Sequence, residues 1–191
     1  MGKLILFLGG ARSGKSSFAE ARAREIGGDS VLYVATSEAL DEEMKARVAK
    51  HRAARSPAWV TLEAPRNPAQ ALRRERSGEQ VILVDCITFL VNNHLIAAAG
   101  PEGDPFDAPS ADPFDGKIEA GVVAEVEALA DYAGTHDVTM LVVSNEVGMG
   151  LVPAYELGRA YRDILGRANQ ILARRADEVF LLVAGIPMKV K

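Results

Sequence analysis

The stretch Gly9-Gly10-Ala11-Arg12-Ser13-Gly14-Lys15-Ser16 constrains this chain more than any other. It sits between the apolar run Lys3 to Leu8 and the segment Ser17-Phe18-Ala19-Glu20-Ala21-Arg22. The order is strand, glycine-rich turn, helix, and the spacing G-x-x-x-x-G-K-S is that of a phosphate-binding loop. Glycines let consecutive backbone N–H groups point into one concavity, and the helix that starts there adds the positive end of its dipole. Lys15 is expected to reach the β- and γ-phosphates of a nucleoside triphosphate, and Ser16 to hold Mg²⁺. An ordinary glycine turn beside a surface lysine needs neither the strand before it nor the helix after it, and both are present here.

The rest of the chain alternates strands with helices. Ser16 to Ile26 spaces Phe18, Ala19, Ala21, Ala23 and Ile26 among charges and stops at Gly27-Gly28, an amphipathic helix. Val31 to Ala35 reads as a buried strand ending at Thr36-Ser37. Ligands in open α/β sheets bind beyond the carboxyl ends of strands, which brings Thr36 and Ser37 near the loop; Ser37 equally suits a helix cap. Leu40, Met44 and Val48 form a narrow apolar stripe on a charged helical segment running to Ala54. His51 lies at its end among Lys50, Arg52 and Arg55. The residues alone leave two readings open there, a solvated histidine or a group approaching a triphosphate from outside the sheet.

Trp59 to Leu62 is a short strand closing on Glu63, and Arg66 to Gly78 a weak surface helix. Gln80 to Cys86, Q-V-I-L-V-D-C, is a continuous apolar strand tipped by Asp85. A carboxylate there can orient Mg²⁺ or its bound water beside a phosphate loop, or cap the next helix. Ile87 to Ala99 reads as a buried helix with His94 structural. Gly100 to Gly116 holds four prolines and reads as a long loop, a lid or an inter-subunit arm. Lys117 to Ala133 is helical, Val138 to Ser144 is a buried strand, and Asn145 to Gly150 crosses the sheet's carboxyl edge. Tyr155 to Ala176 is a long helix whose Arg159, Arg162 and Arg167 could line an anionic pocket but better suit a solvated face or an interface. Asp177 to Val183 is a last buried strand, and Gly185-Ile186-Pro187 turns into an edge strand. These elements predict one α/β domain over 1–191, a mainly parallel sheet flanked by helices.

Composition narrows the function. A net charge of -4 argues against nonspecific nucleic-acid binding. The lone Cys86 excludes an internal disulfide and suits a reducing, cytoplasmic setting, with Cys86 itself a small core residue. The N-terminal apolar run flows into the phosphate loop rather than toward a cleavage site, and no run reaches the ~18 residues of a spanning helix, so no signal peptide or membrane insertion is expected. Asn145-Glu146 does not continue as the guanine-reading N-K-x-D of switch GTPases.

G-G-A-R-S-G-K-S at 9–16, V-A-T-S at 34–37, the His51 segment, V-D-C-I-T at 84–88, S-N-E-V-G-M-G-L-V-P at 144–153 and A-D-E-V at 176–179 resemble one family. It is the bifunctional adenosylcobinamide kinase and adenosylcobinamide-phosphate guanylyltransferase of cobalamin biosynthesis. The resemblance implies a RecA-like phosphate-loop NTPase fold, a homotrimer, and two reactions. One phosphorylates the aminopropanol hydroxyl of adenosylcobinamide at the expense of ATP or GTP; the other transfers GMP from GTP to the new phosphate through a guanylylated histidine.

The residue that matches the histidine is His51. By the same carry-over Gly9, Gly10, Ala11, Arg12, Ser13, Gly14, Lys15, Ser16, Ala35, Thr36, Ser37, Arg52, Ala53, Ala54, Arg55, Glu63 and Asp85 line the nucleotide site, with Ser16 and Asp85 on Mg²⁺. Family members can carry Glu where Asp85 stands. The implied partners are GTP or ATP and a corrinoid. Two other functions fit the phosphate loop alone: a small-molecule kinase with His51 a bystander, or a nucleotide-driven switch or assembly protein.

Overall fold

The computed structural model describes residues 2–38, 42, 52, 55–99 and 112–191. Among them seven strands make one sheet: β1 Lys3–Gly9, β2 Val31–Ala35, β3 Val60–Glu63, β4 Val81–Asp85, β5 Thr139–Asn145, β6 Glu178–Val183 and β7 Ile186–Lys189. Their spatial order is β3-β2-β4-β5-β1-β6-β7, parallel throughout except for the antiparallel pair β6 and β7. The helices are α1 Lys15–Gly27, α2 Pro68–Glu75, α3 Ile87–Ala99, α4 Gly116–Thr135 and α5 Glu156–Arg175.

The central strands are apolar without interruption because both of their faces are covered. Successive side chains alternate between the faces, so Leu4 and Leu6 pack with Val34, Val84 and Val142 beneath α2 to α5. Ile5 and Phe7 pack the other way, with Leu83, Leu141 and the small Ala19 and Ala23 of α1. The chain thus covers one face after β1 and the other after the later strands, the doubly wound arrangement that opens a crevice at the strands' carboxyl ends. β5 lies between β1 and β4, which sets the loop strand one strand away from the carboxylate-tipped strand. That is the RecA-like arrangement the resemblance implies.

The root of the phosphate loop is braced from two directions. Phe7 meets Phe18 edge-on and Phe180 face-on, each with ring centroids 5.6 Å apart, pinning α1 and β6 to β1. Ala184 and Gly185 both have positive φ, the demand of a tight two-residue hairpin between β6 and β7. From that turn Gly185 N–H donates to Ser13 O at 2.9 Å, so the hairpin buttresses the loop from behind. Pro187 lies on the edge strand, where a missing donor costs least.

Two expectations change in detail, and the expectation of a structural His94 is met. α2 is shorter than the 66–78 reading and is not merely superficial, since Ala69 and Leu72 are buried against the core. α4 begins at Gly116, capped by Asp115 Oδ1 accepting from Lys117 N–H at 3.1 Å; most of the proline-rich stretch, 100–111, lies outside the described residues. His94 is tied into the fold, its Nε2 2.9 Å from Glu125 Oε1, while Glu125 Oε2 accepts from Asn67 N–H.

Candidate active site

The loop is shaped by positions that tolerate only glycine. A Cβ on Gly9 would sit 2.5 Å from Ser13 Oγ and 2.8 Å from Leu182 O. Gly14 holds φ +89° at the start of α1, where no side chain caps the helix and the first turn has no acidic residue. The positive end of the α1 dipole therefore faces whatever anion enters the loop, with no acidic side chain in the first turn to compete for it. Lys15 Nζ donates to Gly10 O at 3.2 Å, and Ser13 Oγ is buried with no hydrogen-bond partner.

Opposite the loop stands Asp85, at the tip of β4 and in register with Ala35 of β2. Tyr33 reaches across from β2 and its hydroxyl donates to Asp85 Oδ2 at 2.9 Å. Arg55 lies over the Tyr33 ring, its guanidinium carbon 3.2 Å from the centroid, a cation–π contact in a largely dry setting. Its Nε is 3.8 Å from Glu20 Oε1 of α1.

Burial raises the Glu20 carboxyl above its usual range, against the opposing pull of Arg55. Burial first, and then the Asp85 charge, hold the Tyr33 phenol far above its ordinary value, so it remains a donor. Burial likewise pushes the Cys86 thiol up to about 12, which makes it a poor nucleophile at neutral pH.

These groups enclose a cavity of about 220 Å³. Of the residues named from sequence, Ala11, Arg12, Lys15, Ser16, Ala35, Ser37, Arg52, Arg55, Glu63 and Asp85 line it. Four cationic side chains face two carboxylates, a balance that favours a polyanion. Gly9, Gly10, Ser13 and Gly14 shape the loop without lining the cavity. His51, Ala53 and Ala54 lie outside the described residues.

Thr36 does not reach the cavity. It is fully buried, its hydroxyl donating to Cys86 O at 2.6 Å and accepting from Cys86 N–H at 2.7 Å, with its own carbonyl taking Asn93 Nδ2 at 2.8 Å. Its work is to clip the tip of β2 to the tip of β4.

Tyr33, Thr61, Thr88, Phe89 and Asn145 also line the cavity and were not singled out from sequence. Tyr33 and Thr61 each lie two residues before a named residue, Ala35 and Glu63, so the period of a strand could have found them. Asn145 ends a strand whose place beside β1 no local pattern reveals.

The description that matches residues 5–190 is cobinamide kinase / cobinamide phosphate guanyltransferase. Over 191 residues the chain is 41% identical to the bifunctional adenosylcobalamin biosynthesis protein CobU of Escherichia coli K12, covering 98% of this chain and 99% of that one. It is 42% identical over 186 residues to the corresponding protein CobP of Pseudomonas aeruginosa, covering 97% and 96%. Among solved structures, the flagellar accessory protein FlaH of Methanocaldococcus jannaschii aligns at a TM-score of 0.47 and 16% identity, over 99% of this chain and 78% of that one. With a match that spans nearly every residue and relatives above 40% identity, the chain belongs to the cobinamide kinase / cobinamide phosphate guanyltransferase family.

Proposed function

We propose that this protein phosphorylates adenosylcobinamide and then transfers GMP to adenosylcobinamide phosphate, a two-activity enzyme of cobalamin biosynthesis. The observation that carries it is that Arg52 and Arg55, which follow His51 by one and four residues, line the same cavity as Lys15, Ser16 and Asp85.

In the kinase reaction the acceptor hydroxyl attacks the γ-phosphorus of ATP or GTP; the new O–P bond replaces the β–γ bridge and the nucleoside diphosphate leaves. Lys15 and the N–H groups opening α1 hold the phosphates while charge spreads over the transferred group. In the second reaction a ring nitrogen of His51 attacks the α-phosphorus of GTP, forming a P–N bond and expelling pyrophosphate. The phosphate of adenosylcobinamide phosphate then attacks the same phosphorus, breaking the P–N bond and returning the imidazole. A neutral imidazole is abundant at pH 7, and the covalent stage splits one displacement into two easier ones. Arg52 and Arg55 offset charge at the α-phosphate, and Arg55 is held for that task by its stack on Tyr33.

The Ser16 hydroxyl and Asp85 carboxylate are hard oxygen donors facing one cavity, the partial set Mg²⁺ takes from a protein when phosphates complete its shell. Bound there, Mg²⁺ would neutralise phosphate charge. The family resemblance further supports a cytoplasmic homotrimer. No helix among the described residues is long and apolar enough to cross a membrane.

Incubation with α-labelled or γ-labelled GTP followed by denaturation tests the reading. Acid-labile, base-stable label is expected from the α position and none in His51→Ala. A plain kinase or a nucleotide switch retains no α label, and that result would overturn the transferase activity.

A further inference from the structure

The segment that follows β5 exposes apolar side chains in a way the nucleotide site does not explain. Met149 is 78% exposed and Leu151 97%, with Val152 and Tyr155 more than half exposed. The backbone carrying them is anchored. Glu146 N–H donates to Gly9 O at 3.1 Å, Glu146 Oε1 accepts from Gly148 N–H, and Arg159 Nη1 donates to Ala154 O at 2.7 Å and to Pro153 O. The Tyr155 ring lies across Gly158, where a Cβ would come within 2.7 Å of it. An apolar ridge is thus held outward by bonds at both ends, beginning at the carbonyl of the first glycine of the phosphate loop.

Beside it is a groove of about 210 Å³ between α3 and the start of α5, lined by Asn92, Ile96, Tyr155 and Tyr161 among others and by no charged residue. The groove and the nucleotide cavity share α3: Thr88 and Phe89 face the cavity, and Asn92 and Ile96 face the groove about a turn further on. Asn145 lines the cavity, its N–H donates to Thr88 Oγ1 at 3.0 Å, and the ridge starts within a few residues of it.

We propose that the ridge and groove are the acceptor site, holding a corrinoid. The methyl-bearing edge of the macrocycle rests on Met149, Leu151 and Val152, its carboxamides meet Asn92 and Tyr161, and its aminopropanol arm passes Thr88 and Asn145 into the nucleotide cavity. The inference rests on the function proposed above. An acceptor oxygen must come within roughly 3–3.5 Å of the phosphorus it attacks, so its site has to adjoin the phosphate cavity; α3 meets that demand, with Thr88 on the cavity and Asn92 on the groove one turn apart. An uncharged groove with a few polar tips suits a large macrocycle edged with methyl groups and uncharged carboxamides rather than a second polyanion.

Leu151→Asp and Met149→Asp, made separately, test it without a folding penalty, because both side chains are exposed. Steady-state kinetics with cobinamide and GTP are expected to show the corrinoid KM raised by about tenfold or more, as loss of a largely buried apolar contact does, with kcat within threefold. GMP loading from α-labelled GTP without corrinoid stays near wild type, as does the sedimentation coefficient. Ile186→Asp, exposed on β7, leaves the corrinoid KM unchanged.

An unchanged corrinoid KM in both ridge variants with normal GMP loading would overturn the site alone. A ridge variant that dissociates the oligomer would overturn it too, assigning the ridge to a contact with a second copy of the chain. Wild-type protein that neither retains α label nor phosphorylates cobinamide would remove the parent function and the acceptor site together.

Discussion

Replacing Tyr33 by Phe removes one oxygen and leaves intact the ring on which Arg55 stacks, so it isolates the bond between the β2 tyrosine and the β4 carboxylate. The lost bond is 2.9 Å long, and the tyrosine is 3% exposed. A hydrogen bond to a charged group contributes roughly 1.5–3 kcal/mol. Asp85 borders an open cavity, so water can take over the freed Oδ2, and the low end applies, about 1.5 kcal/mol.

For a chain of this size each kcal/mol lowers Tm by roughly 2–4 °C, giving a fall of about 3–6 °C by calorimetry. The same loss unfixes the Asp85 carboxylate, and the Mg²⁺ concentration for half-maximal GTP turnover is expected to rise by up to about tenfold. Because the phenol stays protonated, the Tm difference holds flat across pH 6 to 9. A variant that melts within 1 °C of wild type and needs no more Mg²⁺ would refute the claim that Tyr33 holds Asp85 in place.

Other perturbations follow from the same geometry. Gly14→Ala forces a side chain into φ +89° with its Cβ 3.2 Å from the Gly185 backbone; a left-handed cost of roughly 1–2 kcal/mol plus a displaced loop should weaken GTP binding at least ~10-fold by calorimetric titration. Arg55→Lys keeps the charge but loses the planar stack on Tyr33, roughly 0.5–2 kcal/mol, and is expected to slow GMP loading while leaving the melting curve cooperative. The Cys86 thiol has its pKa raised from 9.0 to about 12 by burial, so the stability it contributes is complete below pH 9 and declines as pH rises toward 12, by about 1.4 kcal/mol per pH unit. Urea midpoints of Cys86→Ala should therefore fall less steeply than wild type between pH 9 and 10, before the buried phenols of Tyr33 and Tyr161 add their own loss.

Much of the site was visible in the linear chain because its parts are local. Strand, glycine turn and helix occupy one continuous stretch, and Asp85 ends an apolar run, so the loop and its facing carboxylate could be named without any fold. Motif resemblance added Arg52, Arg55 and Glu63, three side chains that prove to line one cavity with Lys15. Thr36 was harder to place: a threonine at a strand end suits a ligand or a helix cap, and neither reading contains the bonds its hydroxyl makes to the Cys86 backbone, which is distant in sequence. Tyr33 stayed hidden because a buried strand tyrosine looks like any core residue until its hydroxyl is found on Asp85. The C-terminal residues are legible as an edge strand because a turn followed by proline limits pairing on that side.

Local chemistry alone therefore determined the class of fold and the phosphate-binding chemistry, since backbone conformation at glycines and the period of apolar residues depend on near neighbours. The order of strands belongs to the tertiary structure. By placing β5 between β4 and β1 it carries Asn145 to the cavity and sets the ridge at 149–155 beside the loop, although more than 130 residues of chain separate Gly9 from Glu146. Neighbours in the sheet are chosen by how the apolar faces of the central strands and their helices can be buried at once, and no single stretch of chain contains that choice.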